Sequence, residues 1–267
     1  MKFEIIFVRH GVSCANQIQN KGASIDKLWH VFYTDPELTR IGIQRSTNLG
    51  EQLTTRIKEK WNNHPWTIGA SNMIRAQQTA YYMLAQTLQK KIYIMPHIGE
   101  KGMGEDNTPI TRYQHHLVEK IVEPFSKFVH IPKNFGKIKQ INTIDSFKDW
   151  VQREGFQYFG KGNDNVYRAV IFTHSHFLKH AFPDIPSFLH KDVIANNEAI
   201  FCRWDSEKEY IRGPENPKKN IIDAEHITYK TEEQDLYECP DGCRKWTPCM
   251  RTVKNRKVQS RTRKNAK

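Results

Sequence analysis

Two polar runs interrupt apolar stretches of this 267-residue chain where chemistry would be expected. Arg9-His10-Gly11 follows Ile5-Ile6-Phe7-Val8, and His174-Ser175-His176 follows Val170-Ile171-Phe172-Thr173. Both apolar runs have the length and side-chain type of buried strands. Polar residues at the carboxyl end of such strands stand where open α/β sheets hold their ligands. Arg75 comes a few residues after a third apolar run, Trp66-Thr67-Ile68-Gly69-Ala70. Two imidazoles with arginines suit phosphoryl transfer: a neutral imidazole attacks phosphorus while guanidiniums neutralise the equatorial oxygens. Arginine fits this task because its planar fork donates two hydrogen bonds to one phosphate. A lone Arg-His pair could be a surface turn; its recurrence after distant strands is what points to a site.

The elements that must position these residues follow from periodicity. A strand over residues 2–8 is followed by a loop to about 38 and a helix from about 40 to 60, with Thr39 as its N-cap. Ile41, Leu49, Leu53, Ile57 and Trp61 fall four or eight apart on one face of that helix. A second strand at 66–70 leads to a helix at 72–88, with Ala76, Ala80, Met83, Leu84 and Leu88 on its inner side. Ile92–Met95 reads as a short strand, 111–129 as an amphipathic segment, 145–159 as a helix, and 167–173 and 199–203 as strands. The alternation predicts an α/β fold, a three-layer α/β/α sandwich around a mostly parallel sheet. Residues 1–215 form the expected catalytic domain, with an insert at about 101–145, and 216–267 the expected linker and basic tail.

At these residues the chain resembles the histidine phosphatase superfamily, the phosphoglycerate mutase-like group. Arg9-His10-Gly11 with Asn16 resembles its R-H-G-x4-N signature. Asp35-Pro36-Glu37-Leu38-Thr39, with Gly42 and Gln44, resembles its D-x-x-L-T-x-x-G-x-x-Q segment, the Gln one place early. Ser71, Arg75-Ala76 and Thr79-Ala80 match S-x-x-x-R-A-x-x-T-A without a gap, and Thr173-His174 takes the place of the second histidine. The four motifs run in order across residues 1 to about 205. The resemblance implies that His10 is the nucleophile, with Arg9, Arg75 and His174 around the transferred phosphoryl group. Asn16 and Ser175 would be substrate contacts. It also implies a glutamate acid after the third strand, which Glu100 fits best; Glu105 and Asp106 are the other carboxylates in reach. Neither metal nor cofactor is implied.

Superfamily members divide mainly into phosphatases and phosphoglycerate mutases. Mutases carry a Trp-Asn pair after their opening motif and an Arg-x-Tyr-Gly segment beside the acid. Here Cys14-Ala15-Asn16 and Lys101-Gly102-Met103-Gly104 stand in those places, which favours release of phosphate to water, with mutase-type transfer the alternative. Lys101, Arg112, His115, His116 and Lys120 in the insert could meet a second anionic group or be plain surface. Cys14 reads as filler in the loop. His176 and His180 read as the start of a helix rather than a metal cluster, and Asn196-Asn197-Glu198 as a turn.

Composition sets the remaining bounds. Lys and Arg number 41 against 29 Asp and Glu, a net charge of +12. Ten of those basic residues fall between Arg244 and Lys267, with no acidic one, leaving 31 against 29 in the body. Such a block is expected to remain solvated, with weak contact to nucleic acid or another acidic surface as a second role. Trp246 is the only aromatic residue in it, so the stacking platform of single-strand binders is missing. No apolar stretch approaches the ~18 residues of a membrane span. Five scattered cysteines and a short N-terminal apolar run lead to the expectation of reduced thiols and a cytoplasmic setting. The expected partner is a phosphorylated small molecule or phosphoprotein.

Overall fold

The computed structural model describes residues 1–16, 34–100, 109, 119–182, 194–206, 221–227 and 229. Its centre is a pair of strands with apolar side chains on both faces, β1 (Lys2–Arg9) and β6 (Val166–Thr173). Residues buried on both faces are what an interior parallel strand requires. The two run parallel, with Arg9 opposite Thr173. Beside β6 lie β2 (Thr67–Ala70), β3 (Ile92–Ile94) and β4 (Val129–His130), all parallel. On the other side of β1, β7 (Ala199–Asp205) and β8 (Ile221–Ile227) are antiparallel. The short β5 (Gly160–Lys161) pairs antiparallel with β6.

Helices cover both faces, because alternate side chains of β1 point opposite ways. Ile6 and Val8 pack with Leu49, Leu53, Ile57 and Trp61 of α1 (Arg40–Trp61). The same face receives Ala76, Ala80, Met83 and Leu84 of α2, which runs from Ile74–Ala80 through a π-turn, Tyr81–Ala85, to Gln86–Leu88. Phe3, Ile5 and Phe7 pack instead with Phe147, Trp150 and Val151 of α4 (Ile144–Arg153) and with Phe177, Leu178 and Ala181 of α5 (Ser175–Ala181). The expected three-layer sandwich is the observed architecture. Ile41 and Leu88, assigned to the inner faces, are only partly buried at helix ends.

The insert contributes to the sheet. Helix α3 (Glu119–Ser126) leads to β4, and Phe125 and Phe128 pack against Tyr81. Lys101–Gly104, Glu105, Asp106, Arg112, His115 and His116 lie outside the described residues. The folded body also continues past residue 215, where composition placed a linker: β8 pairs with β7 from Ile221 to Ile227. The basic run 244–267 lies outside the described residues. Cys14, expected as a reduced filler thiol, is disulfide-bonded, whereas Cys202 is a buried thiol outside any disulfide. Among the described residues, no helix is long and apolar enough to cross a membrane.

Candidate active site

The site is built where the carboxyl ends of β1, β2, β3 and β6 meet. The His10 N–H donates to the Thr173 carbonyl at 2.9 Å, tying the ends of the two central strands together. Gly11 N–H then donates to Thr79 Oγ1 at 2.9 Å, so the loop after β1 rests on α2. Arg75 and Thr79 are four apart and share that helix face. The segment 35–42 frames the loop from the other side. Asp35 Oδ1 accepts the Ile74 N–H at 2.8 Å, satisfying a donor at the start of α2. Gln78 Oε1 accepts the Leu38 N–H at 2.7 Å. Thr39 caps α1 by accepting the Gly42 N–H at 2.9 Å, and its own N–H donates to the Val12 carbonyl at 2.9 Å. Gly42 lies against that carbonyl so closely that an added Cβ would sit 2.2 Å from its oxygen. Gln44 is exposed on α1 and takes no part.

His10 is held in one tautomer. Its Nδ1 lies 2.7 Å from the Gly11 carbonyl, which can only accept, so the proton is on Nδ1 and the lone pair on Nε2. Arg75 Nε donates to that Nε2 at 3.3 Å. Burial, then the charges of Arg75 and Arg9, hold the His10 pKa well below its ordinary value of 6.5. The imidazole is therefore neutral at neutral pH. His174 is fully buried beside it, the two ring centroids 5.1 Å apart, and burial followed by Arg75 depresses its pKa likewise. Its Nε2 lies 2.7 Å from Ser71 Oγ.

Glu100 completes the cluster. Its Oε2 stands 3.7 Å from His174 Nδ1, and its Oε1 accepts the His176 N–H at 3.1 Å. One side-chain atom each from His10, Glu100 and His174 falls within 4.8 Å of the others. Two imidazoles and a carboxylate at that spacing could ligate a cation. The two guanidiniums that depress both histidines oppose one, and an anion fits the potential better.

Of the residues expected from sequence, the structure thus gathers Arg9, His10, Arg75, Glu100 and His174. Arg9 Nη1 donates to the Ile194 carbonyl at 2.5 Å. Asn16 has another place: its Oδ1 accepts from Ser13 N–H at 3.3 Å, Ser13 Oγ at 3.1 Å and Asn196 Nδ2 at 3.3 Å, so it braces the loop. Ser175 opens α5, half-buried beside His174. Sequence reasoning assigned no role to Asn196, whose Nδ2 also donates to the carbonyls of His10 at 2.9 Å and Gly11 at 3.1 Å. Asn197 does form the expected turn, at φ 68°, and its N–H donates to the Arg9 carbonyl at 3.1 Å. Two consecutive amides just before β7 were the available signal.

No protein-family model and no curated protein sequence matches the chain. Among solved structures it is similar to phosphoserine phosphatase from Entamoeba histolytica, at 18% identity, covering 75% of this chain and 90% of that chain, with a TM-score of 0.40. It is similar to phosphoglycerate mutase from Bacillus anthracis at 14% identity, covering 76% and 88%, with a TM-score of 0.41. The mycobacterial glucosyl-3-phosphoglycerate phosphatase is 13% identical, covering 76% and 91%, with a TM-score of 0.43. All three are histidine phosphatase superfamily members. These overall likenesses are slight, and the functional reading rests on the site.

Proposed function

We propose that the protein is a phosphatase that hydrolyses a phosphomonoester through a phosphohistidine at His10. The observation that carries this reading is the 2.7 Å contact from His10 Nδ1 to the Gly11 carbonyl, which leaves Nε2 as a lone pair beside Arg75. In the first step Nε2 attacks phosphorus and the ester P–O bond breaks. Protonated Glu100 gives its proton to the leaving oxygen. Arg75, Arg9 and His174 donate to the phosphoryl oxygens as charge redistributes. In the second step Glu100 takes a proton from water, the water oxygen attacks phosphorus, and the P–N bond breaks. Phosphate leaves, His10 is neutral again and Glu100 is protonated again.

Turnover of a generic aryl phosphate in excess chelator tests this reading. Undiminished release of inorganic phosphate is the expected result, since arginines take the role of a Lewis acid. Complete loss restored by zinc or magnesium overturns it. Transfer of the phosphoryl group to an added phosphoglycerate instead of water identifies a mutase. Electrostatic contact of residues 244–267 with an acidic surface is a separate proposal, read by the salt dependence of retention on a polyanion.

A further inference from the structure

We propose that Asn142 is a positioning residue that holds Glu100 in register with the leaving group; this rests on the reading of Glu100 as the proton donor. The loop that carries Glu100 leaves β3 and turns at His97, whose φ is 66°. Past that point its backbone is held by side chains from distant segments. Thr173 Oγ1 donates to the Ile98 carbonyl at 2.6 Å. Gln140 Oε1 accepts the His97 N–H at 2.9 Å, and the Ile141 N–H donates to His97 Nδ1 at 3.0 Å. Asn142 makes the closest hold on the acid itself: Oδ1 accepts the Gly99 N–H at 3.2 Å while Nδ2 donates to the Glu100 carbonyl at 3.0 Å. One amide thus imitates the paired donor and acceptor of a neighbouring strand. Gly99 permits the approach, since a Cβ there would lie 3.0 Å from the same Nδ2.

The grip has a firm base. Asn142 directly precedes Thr143, the N-cap of α4, whose Oγ1 accepts the Ser146 N–H at 3.2 Å. Helix α4 in turn is fixed to the sheet by Phe147, Trp150 and Val151. At the other end, the Glu100 carboxylate reaches between His174 and His176, 3.7 Å from a ring nitrogen of each. Proton donation depends steeply on placement, and general acids contribute about 10²–10⁴ in rate. Loosening the Glu100 backbone should therefore cost most where the leaving oxygen most needs a proton.

The test is rapid-quench measurement of phosphoenzyme formation, comparing an alkyl phosphate with a nitrophenyl phosphate. Nitrophenolate departs readily without a proton, whereas an alkoxide does not. Asn142→Ala should slow the alkyl reaction at least about tenfold more than the aryl reaction. Asn142→Asp keeps the size and the acceptor but loses the donor, so it should show the same bias if the alanine variant folds poorly. Equal loss on both substrates, or no loss on either, overturns the proposal. Glu100→Gln, measured in parallel, separates the two claims. A bias in Glu100→Gln without one in Asn142→Ala leaves the donor standing and rejects the clamp. No bias in Glu100→Gln rejects the donor and the clamp with it.

Discussion

Ser71 Oγ and His174 Nε2 are joined by a fully buried 2.7 Å hydrogen bond. Ser71 Oγ already accepts the Met73 N–H at 3.3 Å, so its own proton is available to Nε2. With the serine hydroxyl as the donor, the His174 proton stands on Nδ1, which is buried with no hydrogen-bond partner among the described residues and lies 3.7 Å from Glu100. A serine thereby makes the second imidazole a donor into the site. Ser71→Ala should leave the imidazole free to take the other tautomer. The loss of a buried hydrogen bond costs about 1–3 kcal/mol of stability, so the melting temperature should fall by a few degrees, and kcat on an aryl phosphate should fall roughly tenfold or more as the donor is lost. Steady-state kinetics with a thermal melt check this.

His10 and His174 should fail differently. His10→Ala removes the attacking nitrogen, and acid quench should trap no phosphoenzyme. His174→Ala removes one donor to the phosphoryl oxygens, on the order of 3–4 kcal/mol or 10²–10³ in rate. Slow turnover and label on His10 should survive in that variant. Label retained on a folded His10→Ala protein would falsify the assignment of the nucleophile.

Burial and the arginines depress both imidazoles below 6.5, and this sets a pH dependence. In the folded enzyme His10 remains an unprotonated nucleophile in mildly acidic solution, so the acid limb of kcat/KM should lie well below 6.5. Stability runs the same way. The unfolded chain takes up protons on these histidines near 6.5 while the folded chain does not, so their contribution is complete above that pH and declines as pH falls through it. His10→Gln should show a smaller drop in melting temperature between about pH 7.5 and pH 5 than the unaltered protein.

Gly42→Ala is a case where local preference and packing disagree. Within a helix, alanine is favoured over glycine by about 1 kcal/mol. At Gly42 the new methyl would meet the Val12 carbonyl oxygen at 2.2 Å, and neither backbone can yield without moving the loop after His10. Overpacking of this kind costs about 1–3 kcal/mol, so the net effect should be destabilising. Denaturant unfolding and vanadate affinity should both fall in this variant.

The side chains proposed as catalytic were the legible part of the site, for a physical reason. Arg9, His10 and His174 are polar groups placed where apolar strands end, and Arg75 and Thr79 keep helical spacing after Ser71. Residue type and period alone reveal such places. The supports were not legible, because they act through amide side chains on distant backbone. Asn196 reaches the His10 carbonyl across 186 residues, and Asn142 reaches Glu100 across 42. The fold was legible in its central strands and its two long helices. Pro124 hides α3 by breaking a helical pattern, and Gly-Pro-Glu-Asn-Pro ahead of β8 reads as the end of the body.

The placement of β6 between β1 and β2 has a consequence for how the protein comes into being. On the ribosome, His10 is made 164 residues before His174. Until β6 is made, β1 has no strand to sit against, β2 has only β3, and the His10 N–H has no carbonyl to meet. On the proposed mechanism, a chain that ends before β6 is therefore chemically silent: it neither releases phosphate from an ester nor becomes labelled itself. Appearance of turnover during translation would time the insertion of β6 between β1 and β2.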